Sequence, residues 1–218
     1  MFASIKKLLG GSEAAAGDDA QVLAAWAKSQ GHVFKRVNSR SGQGVVVETG
    51  EGWRVEWGPS QRPYIDGQEL RFRCDTGMAS DVQMMLLTRV LAQVLETDVF
   101  SRFTNAMQTQ IDTSLPEEMR WLAMHPKVSL SASGALQRRF ALFCNAEQVA
   151  QKWLDHAMMM HLESAASQWW TDSLMLVLVL NRGMLTLRMP GVGVEPAQLR
   201  MVGEFFAQAC RQMRRVAG

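Results

Sequence analysis

Arg62, Tyr64, Arg71 and Arg73 crowd into residues 62–73 and include the only tyrosine of the chain. A guanidinium group presents a fixed fork of donors that matches a carboxylate or phosphate bidentately. Several such groups converging on one patch, with a phenol beside them, form a candidate site for a small anionic ligand or a peptide. The surrounding pattern says how they are carried. Trp53, Val55 and Trp57 alternate with Arg54 and Glu56, Gly58-Pro59-Ser60 and Asp66-Gly67 interrupt, and Glu69-Leu70-Arg71-Phe72-Arg73 resumes the alternation. A period of two predicts a pair of strands with Leu70 and Phe72 on the buried face and Arg71 and Arg73 on the other. The competing account is an ordinary solvated face on which these arginines pair with Glu48, Glu56 or Glu69.

Met158, Met159, Trp169 and Trp170 are the second candidate set. Methionine-rich helix faces adapt to partners, and tryptophans before a strand are natural anchors, so these residues predict self-association or a protein partner. The alternative is that they fill the core. Met158-Met159-Met160 cannot all share one helix face, so at least one of the three is expected at the surface.

No catalytic residue, metal or cofactor is predicted. His156 and His161 lie five residues apart, roughly 140° around a helix, and cannot share a metal as an i, i+4 pair would. His32 and His125 end helical patterns, where the helix dipole is a sufficient explanation. The glycines at positions 42, 44, 50 and 52 read as turn glycines and do not match a nucleotide-binding loop. Cys74, Cys144 and Cys210 are odd in number, far apart and in apolar contexts, which predicts buried, reduced thiols.

At 218 residues, 47% hydrophobic and a net charge of +2, the chain has a globular composition and too little positive charge for general nucleic-acid affinity. Arg211, Arg214 and Arg215 close the last helical pattern and read as C-terminal dipole complements. The chain shows no secretory apolar run, and its longest apolar stretch, residues 174–180, falls far below the ~20 residues of a membrane span. A cytoplasmic location is expected. Residues 1–9 carry Phe2, Ile5, Leu8 and Leu9 opposite Lys6 and Lys7, an amphipathic tail suited to weak contact with a membrane surface.

The elements that position these residues predict an α+β fold: an antiparallel sheet with covering helices, followed by a helix-rich second unit containing a hairpin. Residues 1–17 read as a tail, with a linker over 10–19. Residues 18–112 read as a helix capped by Asp18 or Asp19, four strands (33–37, 44–48, 53–57, 68–74) and a long helix over 81–110, carried by Val82, Met85, Leu86, Val90, Val94, Leu95 and Val99. Residues 113–218 begin with Ser114-Leu115-Pro116-Glu117, a helix start that Pro126 terminates. A strand at 139–144, one helix over 146–166, a hairpin of 174–180 with 184–189 around Asn181-Arg182-Gly183, and a helix from Pro196 complete the unit, which is expected to share an interface with the first.

The order of the RRFALFC strand, the helix opened by Asn145 and running through Gln148-Val149-Ala150 and Trp153-Leu154, and the hairpin resembles the C-terminal portion of an uncharacterised group of bacterial membrane-associated proteins. The resemblance covers about a third of the chain and implies a membrane-adjacent role and no catalytic residue. The residues themselves favour a non-enzymatic binding or adaptor module using Arg62, Tyr64, Arg71 and Arg73. The alternatives are a small enzyme that clamps a phosphorylated or carboxylated metabolite with the same arginines and uses His125 or Asp66 as acid/base, which requires a deep pocket, or a peripheral membrane protein.

Overall fold

The computed structural model describes residues 16–39, 42–105, 115–130 and 133–218. Helix α1 (Ala16–Gln30) leads into strands β1 (Val33–Ser39), β2 (Gly42–Glu48), β3 (Trp53–Pro59), β4 (Gln68–Asp75) and β5 (Met84–Thr88). Helices α2 (Arg89–Asn105) and α3 (Glu117–Met124), strand β6 (Lys127–Val128), helix α4 (Gly134–Arg139) and strand β7 (Phe140–Cys144) follow. Helices α5 (Glu147–Trp153) and α6 (His156–Gln168), strands β8 (Val177–Asn181) and β9 (Met184–Pro190), and helix α7 (Pro196–Ala217) complete the chain. The fold is α+β, with the described strands in one antiparallel sheet ordered β1-β2-β3-β4-β9-β8-β5-β7-β6. The β4–β9 pairing places strands from both sides of residue 112 in the same sheet. Position 112 itself lies outside the described residues, as do residues 1–15, which hold the amphipathic tail and most of the expected linker. Residues 16–19 of that linker belong to α1.

The expected hairpin strands form because their alternation gives each a wholly apolar side. Val45, Val47, Trp53, Val55, Trp57, Leu70, Phe72, Leu185 and Leu187 share one face of the sheet and are buried there with residues of α1, α5, α6 and α7. At roughly 1.5–3 kcal/mol for each large side chain withdrawn from water, this layer supplies much of the driving force for folding. Trp53 stacks on Phe72 and meets Phe206 of α7 edge-on. The β8–β9 turn requires its sequence: Arg182 and Gly183 both have positive φ, and a Cβ on Gly183 would come within 2.8 Å of the Met78 carbonyl oxygen.

The second face is divided. Under β8, β5 and β7 it is apolar: Val177, Val179, Met85, Leu87, Ala141 and Phe143 pack against Leu91, Leu95 and Val99 of α2 and Met119, Trp121 and Leu122 of α3. Toward β9, β4 and β3 it becomes charged. Cross-strand pairing carries one row from Lys35 through Val46, Glu56, Arg71 and Arg188 to Val177, and the next from Val33 through Glu48, Arg54, Arg73 and Thr186 to Val179.

Several elements differ from the sequence expectation. The long helix expected over 81–110 is a strand followed by a helix: Met84–Thr88 is an interior strand, buried at every position, and α2 starts only at Arg89. A continuous apolar run buried on both faces has no period to separate strand from helix. Thr88 Oγ1 marks the change by accepting a hydrogen bond from Leu91 N at 3.3 Å. The single helix over 146–166 is α5 and α6, broken where Asp155 takes extended backbone angles and its carboxylate accepts from Met158 N at 2.8 Å. Strand β6 and helix α4 were not anticipated. Asp19 is not a cap: buried inside α1, its carboxylate accepts from Val194 N at 2.7 Å and Gly193 N at 3.3 Å, tying α1 to the start of α7. Arg214 donates to the carbonyls of Glu51, Gly52 and Asp75, so the end of α7 grips the β2–β3 turn. No described helix is long and apolar enough to cross a membrane.

Candidate functional site: the charged half of the sheet

Strands β3 and β4 deliver Arg54, Glu56, Glu69, Arg71 and Arg73 to the second face because each sits at the polar phase of a period-two pattern. Two carboxylates organise them. Glu56 Oε1 accepts from Arg54 Nε at 2.8 Å and Arg73 Nη1 at 3.3 Å, while its Oε2 accepts from Arg71 Nε at 3.2 Å. Glu69, with no exposed side-chain surface, accepts from Arg71 Nη1 at 3.2 Å and the backbone N–H of Gln61 at 3.0 Å on one oxygen, and from Arg188 Nη1 at 2.6 Å on the other. Arg71 is therefore shared between two carboxylates and also reaches the Pro59 carbonyl at 3.4 Å.

A third carboxylate fixes the remaining candidates. Glu118 of α3 takes both prongs of the Arg62 guanidinium, Nε on Oε1 and Nη2 on Oε2 at 3.2 Å, and Oε1 also accepts from the Tyr64 hydroxyl at 2.8 Å. The segment between β3 and β4 is thereby fastened to α3. All four arginine and tyrosine candidates are brought to one side of the sheet, but each is already engaged. Arg62 and Tyr64 are held by Glu118, and Arg71 is buried between Glu56 and Glu69. Of the four, Arg73 retains the most open surface, with 34% of its side chain exposed, beside Arg54 at 39%.

The titration behaviour follows from these contacts. Burial works to raise the Glu56 carboxyl, but the hydrogen bond from Arg54 and the charges of Arg73, Arg54 and Arg71 outweigh it and hold it below its ordinary range. Burial pushes the Tyr64 phenol well up, and the neighbouring Glu118 charge adds to it, so the phenol stays a donor. For Arg62, burial would lower the pKa, yet the Glu118 hydrogen bond and charge reverse the sign and raise it.

At the exposed end of this network two guanidinium groups share one carboxylate. Arg54 and Arg73 stand directly opposite each other across β3 and β4, a like-charge pairing that costs stability. Among the described residues only Glu56 mediates between them, and the Arg73 Nε is a buried donor with no partner there. Across strands β1 to β4 and β9, five cations (Lys35, Arg54, Arg71, Arg73, Arg188) and four carboxylates (Glu48, Glu56, Glu69, Asp75) share this face. Glu118 was the member of the network hardest to see in the sequence. Glu118 does share the Leu122 face of α3 four residues on, an apolar setting that marks an acidic residue with a buried partner.

The methionine and tryptophan candidates are placed differently from one another. Met158 and Trp170 have no exposed surface, Trp170 packing edge-on against Phe140 and Phe205, so the core reading applies to these two. Met159 and Trp169 are half-buried, and the surface residue expected of the triplet is Met160, 52% exposed. His125 Nε2 lies 2.9 Å from Gln83 Oε1 and its ring stacks on Trp121, while Asp66 is exposed. The three cysteines are buried and free, and burial raises Cys144 and Cys210 above the ordinary thiol range.

No family model matches the chain, and no curated protein matches it. Among solved structures, the crystal structure of the mycobacterial trehalose monomycolate transport factor A, TtfA, aligns over 91% of this chain and 93% of that one with a TM-score of 0.49 and 11% identity.

Proposed function

We propose that the protein is a non-enzymatic binding or adaptor module that docks an acidic segment of a partner protein on the charged half of the second sheet face. The observation that carries this reading is the Arg54–Arg73 pair, two partly exposed guanidinium groups directly opposed on neighbouring strands with a single carboxylate between them. An incoming carboxylate relieves that repulsion by accepting from the partly exposed guanidinium groups of Arg54 and Arg73. The surface is a strand face, which suits an extended segment better than a small metabolite. Arg62 and Arg71 are committed to internal carboxylates, which leaves the substrate-clamp reading without two of its arginines.

The test is fluorescence polarisation of a labelled polyglutamate decapeptide against the full chain and against Arg54→Ala/Arg73→Ala. The reading expects saturable binding that weakens about tenfold in the double variant, equivalent to ~1.4 kcal/mol, and that falls further as salt rises. Equal affinity of the two proteins would overturn it.

A further inference from the structure

A second site, independent of the charged face, lies at the far side of the sheet, where α2 and the short edge strand β6 leave β7 partly uncovered. β6 pairs only Lys127 and Val128 with β7, so Phe140 and Ala141 have no strand outside them. Alternation along β7 turns the Phe140 carbonyl toward this gap, because Cys144, four residues on, points its N–H outward to Pro126 O at 3.2 Å. The resulting cleft has a volume of about 470 Å³, within the size range of small-molecule sites. Ala92 and Ala141 give it an apolar floor on the α2 side, and Val128, Leu130 and Leu142, which pack into the core of the opposite face, close its edge.

Its rim carries two cations of different standing. Lys127 is occupied: its Nζ lies 2.9 Å from Glu96 and 5.3 Å from the centre of the Phe143 ring. Arg89 is exposed and makes no ion pair among the described residues. Arg89 is also the first residue of α2, where the helix dipole disfavours a positive charge, and that first turn contains no acidic residue to compensate. Helix stability therefore does not account for an arginine here, whereas a ligand anion at the cleft mouth does.

We propose that this cleft binds a small amphipathic carboxylate, its apolar body on the floor between α2 and β7 and its carboxylate on the Arg89 guanidinium. The floor excludes a fully hydrated anion as the preferred ligand, and the free guanidinium selects against an uncharged apolar one. Ligand binding here requires no reaction and no residue of the charged sheet face.

Calorimetric titration of the full chain with octanoate, acetate and octanol tests both parts of the claim. Octanoate is expected to bind saturably, with acetate and octanol each at least tenfold weaker. Arg89→Ala removes an exposed side chain and is expected to weaken octanoate about tenfold without changing the circular dichroism spectrum. Ser129→Trp, placed on the exposed rim, is expected to block octanoate by filling the mouth. Octanol binding as tightly as octanoate, or octanoate binding unchanged in both variants, would overturn the proposal. Because Arg54 and Arg73 lie elsewhere, octanoate binding should survive Arg54→Ala/Arg73→Ala, so failure of one site is distinguishable from failure of the other.

Discussion

The two halves of the second sheet face share strands, pleat and register but are stabilised by opposite means. Under β8, β5 and β7 the side chains are apolar and two helices cover them. Across β3, β4 and β9 they are charged, and order comes from carboxylates each holding two or more donors. An apolar half-face must be buried, and once buried it is unavailable to a partner. The charged half-face is buried at Glu69, Arg71 and Arg188 but keeps its Arg54 and Arg73 end partly in water. Its interior members, Glu69, Arg71 and Arg188, are paired with one another, and Glu56, bonded to Arg71, accepts from Arg54 and Arg73 and so positions both at the surface. Preorganised charges of this kind lose less side-chain entropy on binding than free ones do.

The sharpest way to break this comparison is to remove the buried carboxylate of the charged half. Glu69→Ala leaves Arg71 and Arg188 without their shared partner, and urea denaturation should show a loss of about 3–5 kcal/mol. On the covered half, Leu87→Ala opens a cavity at a fully buried position and should cost about 2–5 kcal/mol by the same assay. These two values should be similar although one removes a charge and the other a hydrocarbon.

A smaller effect separates the two by pH. The Glu56 carboxyl is depressed in the folded state, so the stability it contributes is fully present above its unfolded pKa, about 4.3, and is lost as pH falls through the lower folded value. Acid titration of stability should therefore show a decline beginning near that pH, reduced in Glu56→Gln. Tyr64→Phe removes one hydrogen bond to Glu118 and should cost about 1 kcal/mol, measured by the same denaturation. Arg54→Ala, at the exposed end, should change stability by no more than about 0.5 kcal/mol and act on binding instead.

The sequence made the charged half easier to read than the covered half. Glu56, Arg71 and Arg73 lie in alternating strands joined by recognisable turns, and their phase on the sheet follows from a period of two. Pairing with Glu56 and Glu69 was one of the accounts open to them. What the sequence did not show is that the pairing is buried and multivalent, because Arg188 and Glu118 reach the site from residues 119 and 56 positions away along the chain from Glu69 and Arg62. β5 was hidden for a different reason: its five residues are all buried, and a strand with two apolar faces reads as an extension of the helix after it. The break between α5 and α6 depends on one aspartate choosing extended angles at Asp155, a local event within a continuous helical pattern.

The central claim is that the charged half, not the helical side, is the docking surface. Hydrogen exchange of the full chain with and without a saturating polyglutamate decapeptide tests it most directly. The account predicts added protection confined to β3 and β4, residues 53–59 and 68–75, and absent in Arg54→Ala/Arg73→Ala. Protection centred on α1, α6 or α7 with those strands unchanged would contradict it.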